Sequence, residues 1–125
     1  MGKRTTTDSI ELNNTARALL PGFAGVYSAD GSPKLNKSRR YAIINTKPAA
    51  TGGEHWCALC WTDPGVLHYD SYGRSAEKLF PGKFVGAKNT DLDVEQSVTK
   101  TECGQRCISW LLCCELLGSD MATLV

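Results

Sequence analysis

Helical patterns towards the two ends of the chain, with strand patterns between them, predict an α+β fold. Two observations carry the strands. Tyr41 to Thr46 (YAIINT) is a continuous apolar run, and the runs Trp56 to Trp61 and Val66 to Tyr72 flank Thr62-Asp63-Pro64-Gly65, a strong turn signal. A third observation carries the last helix: Gly104 to Leu117 is strongly apolar, and Gly118 is its natural C-cap. At 125 residues the chain is expected to form a single domain over 1–125. Such a domain buries roughly two-thirds of its unfolded surface.

In chain order, Asp8-Ser9-Ile10-Glu11 reads as an N-cap with a glutamate three residues on, opening a helix to about Leu20. Pro21-Gly22 ends it. Phe23 to Ser28 is a strand, followed by a polar loop from Ala29 to Ser38. After the YAIINT strand, the loop Lys47 to Gly53 leads into His55. Beyond the hairpin, Arg74 to Phe80 is a short helical piece stopped by Pro81-Gly82, and Phe84 to Thr90 an irregular strand. Leu92 to Val98 is extended and carries Gln96. Ser119 to Val125 closes the chain as an end that frays or packs.

Composition narrows the class. A hydrophobic content of 42% and a charged content of 22% are those of an ordinary globular protein. The net charge of +1 makes no case for nucleic acid or a membrane surface as partner. The basic positions Lys34, Lys37, Arg39 and Arg40 read as a solvated loop. No run approaches the roughly 18 apolar residues of a membrane span, and Met1-Gly2-Lys3-Arg4-Thr5 is not followed by the apolar core of a signal peptide. The chain is therefore expected inside the cell. Six cysteines in such a chain argue against a disulfide framework. Most lie in apolar runs, but Cys103 sits in a polar Thr-Glu-Cys-Gly context.

Four residues carry chemistry: His55, Asp70, Gln96 and Cys103, a base, a carboxylate, an amide donor and a thiol. If Trp61 pairs with Val66 across the turn, Cys57 faces Asp70, and His55 is Asp70's diagonal neighbour. A carboxylate there can bond one imidazole nitrogen and fix its tautomer. Cys103 stands where the last helix starts, and the positive end of the helix favours a thiolate. Unpaired backbone N–H groups of that turn can receive an oxyanion, as can the amide of Gln96. Gly104 keeps the approach to sulfur uncrowded, and Trp56 is either core or a wall of the cleft. His68, two residues before Asp70, is a competitor for its carboxylate.

A zinc-binding, non-enzymatic module is a separate alternative, drawing on His55, Cys57, Cys60, His68, Cys103 and Cys107. Against it, Cys57 and Cys60 are three apart on a strand and point to opposite faces. The preferred reading has no metal.

The segments Gly25-Val26-Tyr27, Tyr41 to Thr46, Thr51-Gly52-Gly53-Glu54-His55-Trp56, Tyr69-Asp70-Ser71-Tyr72-Gly73, Gln96 and Cys103-Gly104-Gln105-Arg106-Cys107 together resemble the adenovirus maturation protease family, adenain, and its viral relatives. The resemblance covers roughly positions 20 to 117. It implies an adenain-like cysteine peptidase fold, with a mixed central β-sheet packed on the helix that bears the nucleophile. It also implies roles: Cys103 the nucleophile, His55 the general base, Asp70 its orienting partner and Gln96 the oxyanion donor. Gly53, Glu54, Trp56 and Gly104 are the substrate-contacting positions on this reading.

The function so implied is cleavage of viral precursor polypeptides during virion maturation, by a monomer acting in the host cell, including its nucleus, and in the virion. The ubiquitin-like-protein (SUMO-type) isopeptidases are the alternative branch. Asp70-Ser71 leans towards them, whereas the Gly-Gly-x-His-Trp lead and the seven-residue step from Gln96 to Cys103 lean towards adenain. No cofactor is expected, and the sequence leaves open an activating peptide or nucleic acid of the kind the resemblance implies. The family's activating peptide is linked through a cysteine that the stretch between Asp70 and Gln96 lacks, and the net charge makes no case for the family's DNA cofactor.

Overall fold

A computed structural model describes residues 9–46, 55–63, 65–70, 74–90 and 100–118, apart from the side chains of 100–102. The elements run α1 (Ser9–Leu19), β1 (Phe23–Tyr27), β2 (Tyr41–Asn45), β3 (Trp56–Thr62), β4 (Gly65–Tyr69), α2 (Ala76–Leu79), β5 (Lys88–Thr90) and α3 (Lys100–Leu117). The strands form one five-stranded sheet in the order β1-β2-β3-β4-β5. Its outer pairs, β1–β2 and β4–β5, are parallel, and the inner pairs, β2–β3 and β3–β4, are antiparallel. The fold is α+β, with the mixed sheet that the resemblance implies.

The β3–β4 hairpin has the expected register. Trp61 lies opposite Val66 and Ala58 opposite Tyr69. The Thr62 hydroxyl donates to the Gly65 carbonyl and accepts the Gly65 N–H at 3.3 Å, which closes the turn from within. Strand side chains alternate between faces, so β3 divides its residues between two cores. Ala58 and Cys60 join Tyr41 and Ile43 beneath Leu12 and Ala16 of α1 and Leu111 and Cys114 of α3. Cys57 and Leu59 join Ala42 and Ile44 on the opposite face, closed by Phe80 and flanked by Leu35 and Phe84.

Helix α3 is anchored at three heights. Cys107, Leu111 and Cys114 follow one another at helical spacing and are buried. Trp110 stacks on Tyr69 of β4, with ring centroids 5.4 Å apart and planes 11° apart. An aromatic pair of this kind is worth about 0.5–1.5 kcal/mol beyond its buried area. Near the C-terminal end of α3, the Tyr41 hydroxyl of β2 donates to Glu115 Oε1 at 2.5 Å. Gly118 ends α3 at φ 87°, a left-handed conformation that suits glycine. These contacts fix the start of α3 relative to β3.

Four boundaries differ from the sequence reading. α3 begins at Lys100, not Gly104, so Cys103 lies inside the first turn rather than before it. β4 ends at Tyr69, and Asp70 beyond it accepts the Arg74 backbone N–H at 2.8 Å; the rest of the expected strand, 71–72, lies outside the described residues. The helical piece expected from Arg74 is α2 alone, with Ser75 as N-cap accepting the Lys78 N–H. Of the irregular strand 84–90, only Lys88–Thr90 pairs with the sheet, and the chain before it is turns that stack Phe84 edge-on against Phe80 at 5.5 Å. The expected segment Leu92–Val98 and the end from Ser119 lie outside the described residues. Among the described residues no helix is long and apolar enough to cross a membrane.

Candidate active site

His55 immediately precedes β3 and Asp70 immediately follows β4, so the open end of the hairpin carries both. The Thr46 N–H donates to the His55 carbonyl at 2.8 Å, tying the histidine backbone to the end of β2. Both side chains are buried, and His55 Nε2 meets Asp70 Oδ1 at 2.5 Å. A hydrogen bond from a carboxylate to one ring nitrogen holds the imidazole in one orientation.

Cys103 approaches from the other layer, as the fourth residue of α3, and is buried. Its thiol is hydrogen-bonded to the His55 imidazole. Because Asp70 occupies Nε2, Nδ1 is the nitrogen left for sulfur. Carboxylate, imidazole and thiol thus form one line. The first four N–H groups of a helix have no intrahelical acceptor, and that of Cys103 is the fourth.

The electrostatics favour a charged imidazole beside a charged carboxylate. Burial pulls the His55 pKa down, but the hydrogen bonds from Asp70 and then Cys103, with their charges, outweigh it and raise the pKa to about 8. Burial opposes ionisation of Asp70, yet its bonds to His55 and Arg74 hold its pKa well below the usual carboxylate range. Arg74 is the residue that sequence reasoning missed. Its Nε donates to Asp70 Oδ2 at 2.9 Å and its Nη2 to Oδ1 at 3.4 Å. The available signal was a basic residue four positions after an acidic one, hidden by extending the strand to Tyr72.

Of the other expected positions, Trp56 is half-buried and packs against the helix-side core. Gly104 is buried within α3. Gln96, Gly53 and Glu54 lie outside the described residues. His68 does not compete for Asp70: its Nδ1 lies 3.2 Å from Asn89 Oδ1 and its ring stands edge-on to Phe80. Burial pulls its pKa down to about 4, so it is neutral at ordinary pH.

The zinc ligand set is divided by the sheet. His55 Nε2, Cys57 Sγ and Asp70 Oδ1 lie within 4.8 Å of one another, but Cys60 belongs to the opposite face. Asp70 already gives one oxygen to His55 and both to Arg74, whose fixed charge opposes a cation. These donors suit a proton relay better than a metal.

A thiol, an imidazole and a carboxylate in line, shielded from bulk water on an α+β sheet, are the equipment of thiol-dependent acyl transfer. By sequence the chain is similar to adenovirus proteases. It is 27% identical to the protease of Snake adenovirus serotype 1 over 119 residues, covering 79% of this chain and 59% of that protein. It is 36% identical to the protease of Equine adenovirus B serotype 2 over 61 residues (47% of this chain, 30% of the relative). With the protease of Porcine adenovirus A serotype 3 the identity is 38% over 73 residues, or 55% of this chain and 36% of the relative. The chain thus spans between about a third and three-fifths of the length of these curated relatives. No protein-family model matches it.

Proposed function

We propose that the chain is a viral cysteine endopeptidase that cleaves precursor structural proteins during virion maturation, acting in the infected cell and the virion. The observation that carries this reading is His55 standing between Asp70 and Cys103, bonded to both. The similarity to adenovirus proteases supports it.

In this mechanism the Cys103 thiolate attacks the scissile carbonyl, forming the C–S bond as the carbonyl oxygen takes up the negative charge. The Cys103 N–H and the Gln96 amide stabilise that oxyanion. His55, as imidazolium, protonates the leaving amine as the C–N bond breaks. It then takes a proton from water, whose hydroxide adds to the thioester carbon as the C–S bond breaks, regenerating the Cys103 thiolate and the His55 imidazolium. Asp70 stays ionised throughout and holds the imidazole in place.

The test is cleavage by the purified chain of an adenovirus-type precursor polypeptide against a ubiquitin-like isopeptide conjugate. Cut precursor with an intact conjugate is expected, and the reverse result would favour the isopeptidase reading. In the same assay, Gln96→Ala is expected to reduce kcat by about 10²–10³-fold, the effect of losing one oxyanion donor. Full activity of that variant would remove Gln96 from the mechanism.

A further inference from the structure

We propose that Arg74 is a positioning residue: its guanidinium and backbone N–H clamp the Asp70 carboxylate so that Oδ1 stays aimed at His55 throughout turnover. The inference rests on the cysteine peptidase reading and adds to it a residue that the three reacting groups do not include. Asp70 Oδ2 receives two bonds, from the Arg74 backbone N–H at 2.8 Å and from Nε at 2.9 Å. Oδ1 receives His55 Nε2 at 2.5 Å, Arg74 Nη2 at 3.4 Å and the Cys57 thiol at 3.8 Å. With both oxygens occupied from different directions, the carboxylate has no freedom to rotate. A planar guanidinium is suited to this, because it presents donors in a rigid fork.

The clamp also answers a difficulty in the reaction. Asp70 has no exposed side-chain surface, so water does not stabilise its charge. While His55 is an imidazolium, the pair balances. Each time His55 gives up its proton, Asp70 becomes a buried anion beside a neutral ring. Among the described residues, Cys57, Cys107 and neutral His68 also feel the charge of Asp70, and none of them supplies a positive charge. Arg74 supplies one at every stage. Its side chain is 31% exposed, so the charge is partly hydrated at its outer edge while the inner edge meets the carboxylate.

A double-mutant cycle separates this role from a structural one. In the parent, Arg74→Met is expected to lower kcat by about 10–100-fold with KM within twofold, and Arg74→Lys to recover part of the loss. In an Asp70→Asn background, Arg74→Met should cost no further activity. Equal losses in both backgrounds, a loss expressed in KM, or no loss would overturn the proposal.

A second readout needs no turnover. In the catalytically silent Cys103→Ala protein, the His55 Nε2 proton should give a solvent-protected, far-downfield NMR signal. Arg74→Met should broaden that signal or move it upfield, and Arg74→Lys should largely keep it. An unchanged signal in Arg74→Met would count against the clamp even if the peptidase reading stood. A changed signal alongside an active Cys103→Ala protein would keep the clamp and remove the peptidase mechanism.

Discussion

Cys103→Ser is expected to reduce kcat by roughly 10⁴–10⁶-fold, the scale on which loss of a nucleophile acts, with the unfolding midpoint nearly unchanged. Serine fills almost the same volume in the first turn of α3, so the packing of Cys107 and Leu111 below it survives. Its hydroxyl is far harder to ionise than a thiol, and an imidazole arranged to stabilise a thiolate does not form an alkoxide at neutral pH. Neighbouring sulfurs do not take over. Cys57 and Cys107 are fully buried, and burial pushes both pKa values well up. The check is single-turnover and steady-state cleavage by parent and variant, together with chemical unfolding. Retained turnover in Cys103→Ser would mean that the reaction uses another group.

Asp70→Asn is expected to lower kcat by about 10³–10⁴-fold, comparable to breaking the carboxylate–histidine link in serine proteases. It should also reshape the pH dependence. In the parent, His55 stays protonated up to about pH 8, so kcat/KM should fall as pH rises through that value. Without the carboxylate, burial dominates and the His55 pKa falls, carrying the alkaline limb to lower pH.

Stability follows the same linkage. The His55 pKa is raised from 6.5 to about 8, so its contribution is fully present below 6.5 and is lost as pH rises through about 8. A shift of that size corresponds to about 2 kcal/mol. The Asp70 pKa is depressed, so its share is present above the ordinary carboxylate range and is lost only in strong acid. Parent and variant should therefore differ most in stability between about pH 4 and pH 6.5 and converge partly above pH 8. Leaving Arg74 without its anion adds a pH-independent cost to the variant. Unfolding curves across pH 4–9 measure the His55 effect and the constant offset, and a constant difference across that range would contradict the assignment of the His55 shift.

Much of this site was legible because turn chemistry is local. Thr62-Asp63-Pro64-Gly65 fixes the hairpin register, and the register alone carries His55 and Asp70 to the same open end. The burial of Tyr41–Asn45 and the stop at Gly118 were readable for the same reason. What the sequence concealed depends on distant partners or on competing local signals. Nothing in Phe23–Tyr27 announces a strand parallel to β2, because strand direction is decided by where α1 and the following loop return the chain. The start of α3 was misjudged by following the apolar run. Thr99-Lys100-Thr101-Glu102 carries the Ser/Thr-x-x-Glu pattern of a helix start, four residues before Gly104. Arg74 escaped because its role depends on β4 ending before Asp70, whose carboxylate accepts the Arg74 backbone N–H as well as serving His55.

The central claim is that one thiol, made nucleophilic by His55, performs the reaction. Labelling with a peptidyl thiol-directed electrophile, with the adduct mapped by mass spectrometry, tests it most directly. One adduct per chain on Cys103 is expected, lost in Cys103→Ser and greatly slowed in His55→Ala, with the other five cysteines unlabelled. Labelling spread over several cysteines, or undiminished at Cys103 when His55 is removed, would contradict the account.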